Sequence, residues 1–393
     1  HDPTVGAMRV MLDAIHHRFD KADCAAAWRR LVDAERPAIT FHLLPIEGMG
    51  RPDELYLKMN SRGKPLTPFE TFKALFEKTL EDADPVRAKE FAEKIDGAWC
   101  DMLWPHHGGD YLIDDEFMRY LHFVTEVCEW TEKRTGTGSL EERAAATFGE
   151  KNSLANKNLT RLFEAFDAWC GEDSKTFFER HFALDRHAPG RVTLYPSQSD
   201  RGVDLFDACC RFYGELNNKQ RAFSLDRTLL LYATVVHRAG NTADLPGRLR
   251  VLRNVLEAAS PINPNKMPEL VATVRDYITV GDLDRLVRVN KRQVDEERAK
   301  ATLLAAHPDL EATLHRLEDH TLLRGCLAAF TLDAKTFAAR AEAFEAIFTD
   351  RDLRGALTGA LLTRGDYARP LRGFTHRFQF GTDRKSTRLN SSH

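Results

Sequence analysis

The stretch ELYLKMNSRGKPLTPFETFK, residues 54–73, combines the end of one helix, a basic loop with a glycine, and the start of a second helix. Thr67 occupies an N-cap position, Pro68 the first helical position and Glu70 the third, so Thr67 and Glu70 can cap each other's backbone N–H groups in a capping box. Gly63 tolerates the left-handed conformation that closes a helix. The stretch therefore predicts that one helix ends beside Gly63 and that another begins at Pro68.

The loop between these two helices carries Arg62 and Lys64, close to Asn60. Cationic side chains beside the free N–H groups of a helix start can hold a phosphate or another anion. The same side chains are also typical of an ordinary helix–loop–helix connection whose charges are solvated. Both interpretations stay open, with Asn60, Arg62 and Lys64 as candidate nucleotide- or phosphate-binding residues. The spacing excludes a Walker A loop.

Length and composition set the class of protein. With 393 residues, of which 43% are hydrophobic, the chain is long enough for two or three domains with hydrophobic cores. Its net charge of −3 gives no overall attraction to nucleic acid, although a local basic face is compatible with it. The longest apolar run, residues 229–236, is far shorter than the roughly 18 residues of a membrane helix, so we expect no membrane partner. Seven cysteines without CxxC or zinc spacing predict reduced thiols, no metal site and a cytoplasmic protein.

Apolar periodicity predicts a mainly α fold, a multi-helix body with one short β segment. Apolar residues at spacings of three and four predict helices over residues 5–19 and 25–32. The sequence AITFHLL before Pro45 predicts a strand near residues 38–45. The remaining predicted helices are residues 68–80, 85–103, 114–130, 140–148, 154–170, 174–182, 204–216, 225–238, 246–259, 268–279, 293–306, 310–316, 322–330, 335–348 and 353–362.

The segment RLRVLRN, residues 248–254, places basic and amide side chains on one side of a predicted helix. Arg250, Arg253 and Asn254 share this side, where they could contact a nucleic-acid backbone in a salt-dependent way. Glu257 lies one turn further on and can neutralise part of the charge, so a solvated or internally paired face is the alternative. Arg250 and Arg253 are the candidate nucleic-acid-binding residues.

The segment HRLEDHTLLRG, residues 315–325, is the densest cluster of titratable side chains. His315 and His320 are five residues apart, a spacing that does not place both on one helical face for a metal ion. The pattern favours a structural role, with Glu318 or Asp319 as a helix cap or ion-pair partner, over a catalytic one.

A weaker metal candidate is the pair His106 and His107, which lies near Asp110 in a glycine-rich loop. The chain contains no GxSxG, HExxH or GxGxxG sequence. Sequence motifs therefore identify no catalytic residue.

Around residues 54–73 the chain resembles the GmrSD-type restriction endonuclease N-terminal domain family, also called domain of unknown function 262. The blocks RLRVLRN, RLEDHTLLRG and GDYARP also resemble a bacterial helical extension found with this domain. The resemblance implies that residues 1–82 are the C-terminal remnant of a ParB-like α+β module and that residues 83–380 form a helical domain. The residues that carry the specific part of the resemblance are Met59-Asn60-Ser61-Arg62-Gly63, Leu66-Thr67, Phe69-Glu70 and Lys73.

The family implies nucleotide-dependent restriction of modified foreign DNA, with nucleotide hydrolysis tied to an Asp-Gly-Gln-Gln-Arg box and an HNH nuclease domain often attached. Neither feature occurs between His1 and His393, so no catalytic residue is carried over and we expect the box upstream. The resemblance implies NTP and Mg²⁺ as cofactors of the intact parent protein, a nuclease or NTPase. It also implies DNA and a partner subunit or second copy as partners. The isolated chain should be inactive.

Two further expectations concern the alternative function and the C-terminal tail. The alternative function is a non-enzymatic helical scaffold for protein interaction. Residues 381–393 end in DRKSTRLNSSH, which resembles the translation of a sequencing adapter, so we expect this tail not to be native.

Overall fold

The computed structural model describes residues 3–40, 67–184, 188–195, 202–287 and 289–349. Over these residues the fold is mainly α, as predicted, with two small two-stranded sheets. The described residues fall into two units, one from His1–Leu75 with His107–Leu112 and the other from Phe76–His106 with Ile113–His393. The helices are α1 Pro3–Phe19, α2 Cys24–Leu31, α3 Pro68–Ala83, α4 Pro85–Ile95, α5 Ala98–Leu103, α6 Asp114–Thr131, α7 Leu140–Phe148, α8 Ala155–Asp167, α9 Ser174–His181, α10 Leu205–Phe212, α11 Leu225–Gly240, α12 Leu245–Ala259, α13 Met267–Val280, α14 Lys291–Ala306, α15 Glu311–Glu318 and α16 Phe337–Thr349.

The capping box predicted from the opening stretch is confirmed at the start of α3. The Thr67 N–H donates to Glu70 Oε2 at 2.8 Å, and the Glu70 N–H donates to Thr67 Oγ1 at 3.1 Å. Two of the N–H groups that a helix start leaves without an intrahelical partner are therefore satisfied, and α3 begins at Pro68 as expected. The loop residues Asn60, Arg62 and Lys64 lie outside the described residues.

The helices predicted near the N-terminus form as α1 and α2, and Asp23 caps α2 by accepting the Ala26 N–H at 3.0 Å. The predicted strand is described only at residues 38–40, which are bends and irregular backbone. Residues 41–45 of that prediction lie outside the described part of the chain.

In the larger unit α6 is the central helix, because it packs against α7, α8, α10 and α13. Its side chains Phe117, Tyr120 and Phe123 are buried, and burying each such ring contributes roughly 1.5–3 kcal/mol. The Tyr120 hydroxyl donates to Ala165 O at 2.7 Å and accepts the Trp169 indole N–H at 3.0 Å. The polar atoms of this aromatic core are therefore hydrogen-bonded, as buried polar atoms require.

Two short sheets, which the sequence did not predict, join the helices of the larger unit. Strands β1 (Phe182–Ala183) and β2 (Val192–Thr193) pair in parallel, while β3 (Leu216–Asn217) and β4 (Gln220–Arg221) form an antiparallel hairpin. The hairpin turn is the pair Asn218 and Lys219, at φ 49° and 63°, the left-handed pair typical of a two-residue hairpin loop.

The hairpin is fixed to α6 by an ion pair. The two terminal guanidinium nitrogens of Arg221, Nη1 and Nη2, each donate to the Glu126 carboxylate at 2.8 Å, and the Tyr213 hydroxyl donates to it at 2.5 Å. Burial raises the pKa of Glu126, but the Arg221 hydrogen bonds and charge outweigh it and lower that pKa to about 2. This carboxylate is therefore ionised wherever the fold is intact above strongly acidic pH.

Three predicted helices differ from the structure, each at a residue with an unusual backbone. The helix predicted over 85–103 is divided at Gly97, whose φ of −126° and ψ of −109° are not helical. The helix predicted over 204–216 ends at Phe212, because Tyr213 is extended and Gly214 has φ 82°. The helix predicted over 322–330 is wrong, since Arg324 and Gly325 have φ 48° and 87° and the segment forms turns instead.

The last described helices of the larger unit share an apolar cluster of their own. It includes Leu303 of α14, Leu314 and Leu317 of α15, and Phe337 of α16, all buried. Contacts of α12 with α14 and with β2 bring the polar edge of this region together. That edge contains residues of the segments RLRVLRN (248–254) and HRLEDHTLLRG (315–325), which the sequence identified as candidates.

Candidate functional site

The candidate site is a group of seven buried polar and charged side chains, which we call the buried ion cluster. Helix α12 provides two arginines and an asparagine, α14 provides a glutamate and a lysine, and the end of α15 provides a glutamate and an aspartate. All seven are buried. The members are Arg250, Arg253, Asn254, Glu297, Lys300, Glu318 and Asp319.

One half of the buried ion cluster centres on Asp319. The Arg253 Nη2 atom donates to Asp319 Oδ1 at 2.6 Å. Arg250 reaches both carboxylate oxygens, donating from Nη1 to Oδ1 at 3.1 Å and from Nη2 to Oδ2 at 3.3 Å. A bidentate guanidinium–carboxylate pair is geometrically specific as well as strong. Arg250 Nη2 also donates to the Arg191 carbonyl at 2.6 Å, which connects the cluster to the residue just before β2.

The other half centres on Lys300, whose ammonium group has three N–H donors. Its Nζ lies 2.6 Å from Gly325 O, 2.8 Å from Glu297 Oε1 and 3.0 Å from Glu318 Oε1. Glu296 Oε1 is also 3.0 Å away, so four oxygens surround three N–H donors and every donor of the buried charge has an acceptor. Burial alone lowers the pKa of Lys300, but the charges of Glu318 and Glu297 raise it well above its usual value.

Of the three glutamates that contact Lys300, Glu297 and Glu318 have opposite pKa shifts. Burial raises the pKa of Glu297 to about 7, because the nearby negative charge of Glu318 adds to the burial and Lys300 offsets only part of it. Burial also acts to raise the pKa of Glu318, but the charges of Lys300, Arg250 and Arg253 outweigh it and lower that pKa. The pair therefore holds its negative charge mainly on Glu318.

Backbone shape at Gly325 positions the second half of the cluster. Its φ of 87° favours glycine, and a Cβ atom there would clash with Asn254 Oδ1. Asn254 Nδ2 donates to Glu318 Oε1 at 2.8 Å, so the glycine lets the segment after α15 approach α12 closely. Tyr195 closes the same edge, since its hydroxyl donates to Glu318 O at 3.0 Å and accepts from Arg253 Nη1 at 2.9 Å.

The structure thus brings together two blocks that lie more than sixty residues apart, RLRVLRN and RLEDHTLLRG. Arg250 and Arg253 are only 7% and 1% exposed, and their guanidinium groups are paired with Asp319. This geometry favours the internally paired alternative for α12, and a nucleic-acid contact by either arginine would require the cluster to open. Glu318 and Asp319 are ion-pair partners, as the structural interpretation predicted.

The histidines of the same block do not converge on a common point. The His320 ring packs 4.9 Å from the Phe344 ring, and its Nδ1 accepts the Leu322 N–H at 3.2 Å. Burial, followed by the charge of Arg250, lowers the pKa of His315. Within the described residues no group of three or more His, Cys, Asp or Glu side chains has the arrangement of a metal site.

His106 takes part in a chain of side chains that its sequence neighbours do not indicate. Its Nδ1 lies 2.9 Å from Asp207 Oδ1 and its Nε2 lies 3.4 Å from Ser174 Oγ. The order Asp–His–Ser is that of a hydrolase triad. However, Ser174 is only 3% exposed and its single hydroxyl proton is donated to Asp204 Oδ2 at 2.7 Å, so His106 does not activate it. The chain links the starts of α9 and α10, and its members are too far apart in sequence for spacing to reveal it.

His107 and Asp110 lie in the smaller unit and serve local structure. The His107 ring packs 5.1 Å from the Tyr111 ring, and Asp110 Oδ1 accepts the Leu112 N–H at 3.2 Å. They form no metal-type cluster among the residues that the structure describes.

Comparisons of this chain with protein-family models, with curated proteins and with solved structures found no match. In the described ranges, no helix combines the length and the apolar character needed to span a bilayer.

Proposed function

We propose that this chain is the C-terminal portion of a bacterial DNA-restriction or anti-phage defence protein of the GmrSD N-terminal-domain type, acting in the cytoplasm. In this proposal the helical unit is a structural body and not the catalytic centre. The supporting observation is the buried ion cluster, in which Arg250 and Arg253 of one resemblance block pair with Asp319 of another. Two blocks that contact each other in the fold are expected to occur together in a shared helical extension.

In the proposed protein, the helical unit is a structural support and nucleotide hydrolysis takes place in another part of the protein. The charges of the buried ion cluster are paired with one another, which suits a rigid support. Nucleotide hydrolysis with NTP and Mg²⁺ would belong to the Asp-Gly-Gln-Gln-Arg box, which this sequence does not contain. The loop residues Asn60, Arg62 and Lys64 precede the capped start of α3, where N–H groups and the helix dipole favour an anion.

The test compares this chain with the protein encoded by its complete reading frame. We expect the complete protein to hydrolyse NTP with Mg²⁺ and to cleave modified DNA, and the chain alone to do neither. A triple variant of the complete protein, Asn60→Ala, Arg62→Ala and Lys64→Ala, should weaken NTP binding. Lys175→Ala, which removes an exposed charge from α9, should not. Turnover by the chain alone that survives the triple substitution would place the activity in the helical region and refute the proposal.

A second candidate function, a protein-interaction scaffold, is favoured by the exposed apolar side chains of α1. Val5, Met8, Met11 and Ile15 are between 48% and 62% exposed. Apolar side chains grouped on one surface often mark an interaction site. This alternative predicts a partner protein that co-purifies with the chain and is lost in a Met8→Ser, Met11→Ser double variant. It also predicts no DNA binding even at low salt, where phosphate contacts are strongest.

A further inference from the structure

A pocket of about 260 Å³ opens between α6, α8, α11 and α13 of the larger unit. Its walls are mostly apolar, formed by Phe123, Val127, Ala165, Val235 and Val236. A single water occupies about 30 Å³ in the liquid, and a cavity of about 150 Å³ is large enough for benzene. The pocket therefore has room for an organic molecule larger than a benzene ring.

A hydroxyl group without a protein partner lies in this apolar lining. Tyr232 lines the pocket, is 6% exposed and makes no hydrogen bond to any residue that the structure describes. Unlike the Tyr120 hydroxyl, which is doubly hydrogen-bonded in the neighbouring core, the Tyr232 hydroxyl is accessible from the pocket and can donate a hydrogen bond to a molecule bound there.

Two guanidinium groups line the same pocket. Arg161 donates from Nη1 to Asn158 Oδ1 at 2.8 Å, whereas Arg275 is exposed and forms no ion pair or hydrogen bond with the described residues. Burial raises the pKa of Tyr232 to about 12, and the charges of Arg275 and Arg161 act against that rise. Both positive charges therefore act at the hydroxyl.

Glu164 provides the one carboxylate in the lining, and it forms no salt bridge with either arginine. Two positive charges and one negative charge leave a net charge of about +1 at the pocket. A ligand with a single negative charge and an apolar body matches both this charge and the walls. A dianion would experience repulsion from Glu164.

We propose that this pocket binds a small organic monocarboxylate. The carboxylate accepts hydrogen bonds from Arg275 and Tyr232, and the apolar body packs against Phe123, Val127 and Val235. Arg161, held by Asn158, contributes its charge. This assignment is independent of the proposed role in DNA restriction, so either can fail without the other.

The test is isothermal titration calorimetry of the full chain with two probes of the same shape, 4-phenylbutyrate and its neutral amide, 4-phenylbutyramide. We expect saturable binding of the carboxylate with one site per chain, and binding of the amide at least about tenfold weaker, a factor equivalent to ~1.4 kcal/mol. Arg275→Gln should weaken carboxylate binding about tenfold or more, the loss expected for one charged hydrogen bond. Ala239→Trp, which fills the mouth from an exposed position of α11, should abolish it.

Arg285→Gln is the matched control, because Arg285 is exposed, lies outside the pocket and loses the same charge. It should change carboxylate binding less than twofold. Thermal unfolding curves that coincide with those of the unsubstituted chain show that the variants are folded. The proposal is overturned if 4-phenylbutyrate does not bind, if the amide binds equally well, or if Arg275→Gln and Ala239→Trp leave the affinity unchanged.

Discussion

Replacing Asp319 by asparagine tests whether the buried ion cluster holds α12 against the end of α15. The substitution keeps the side-chain shape and removes one negative charge. Three guanidinium N–H contacts, from Arg253 at 2.6 Å and from Arg250 at 3.1 and 3.3 Å, then meet an uncharged amide. The new NH₂ group points a donor at other donors. Arg250 and Arg253, which are 7% and 1% exposed, then keep the charge of Glu318, and Arg253 also that of Glu257.

The expected loss follows from burial. Removing one partner of a buried ion pair costs roughly 3–5 kcal/mol, because the remaining charge is desolvated without compensation. Asp284 provides a matched control, since it also pairs with an arginine at 2.6 Å, but Arg298 and Asp284 are 44% and 74% exposed. Asp284→Asn should lower the stability far less than Asp319→Asn, because water solvates the arginine that is left.

The assay is urea unfolding monitored by circular dichroism, at low and at high salt. Asp319→Asn should lower the unfolding midpoint far more than Asp284→Asn does. Salt should reduce only the effect of Asp284→Asn, since buried pairs are screened much less than exposed ones. Equal and small losses of stability for the two variants would show that the cluster is solvated or open in solution, which would refute the reasoning.

Three further predictions test other parts of the fold. Glu126 has a pKa of about 2 in the folded protein and 4.5 in the unfolded chain, so its contribution to the free energy of unfolding is fully present above pH 4.5 and is lost as pH falls toward 2. Glu126→Gln should therefore flatten the fall of the urea unfolding midpoint over that pH range. Gly325→Ala should lower the free energy of unfolding by more than about 1 kcal/mol, and by more than the control Gly171→Ala does, as measured by thermal unfolding. Both glycines have φ above 70°, but only the Cβ atom added at Gly325 would clash with Asn254. Thr67→Ala should cost about 0.5–2 kcal/mol and speed amide hydrogen exchange in the first turn of α3, whereas unchanged exchange there would contradict the capping role.

Local signals in the sequence predicted most helices to within a few residues. The helix predicted over 140–148 coincides with α7, because Ser139 and Glu142 form a capping box and Gly149 ends the apolar pattern. The helix predicted over 322–330 failed, because helix propensity cannot detect an arginine held at φ 48° by contacts made elsewhere in the fold. Its guanidinium lies 4.2 Å from the centre of the Tyr195 ring, a residue more than a hundred positions earlier.

The candidate site shows the same division between local and long-range information. Helical spacing placed Arg250 and Arg253 on one side of α12, and the structure agrees with that placement. Spacing cannot indicate whether such a side faces water or an acidic segment that folds back onto it. Here Glu318 and Asp319 supply the acids, so a basic stripe that is compatible with DNA binding becomes part of the interior. The pocket beside Tyr232 was also beyond sequence reasoning, because four separate helices contribute its walls.

The contacts around Gly325 O limit where the protein can be truncated. Lys300 also pairs with Glu296 and Glu297 of its own helix, but among the described residues the ion pairs of Arg250 and Arg253 come from Glu318 and Asp319, just before this carbonyl. A truncation placed in the turn after α14 would remove both of these carboxylates from Arg250 and Arg253. For expression and crystallisation, residues 245–325 therefore form an indivisible block, and boundaries should be drawn outside it.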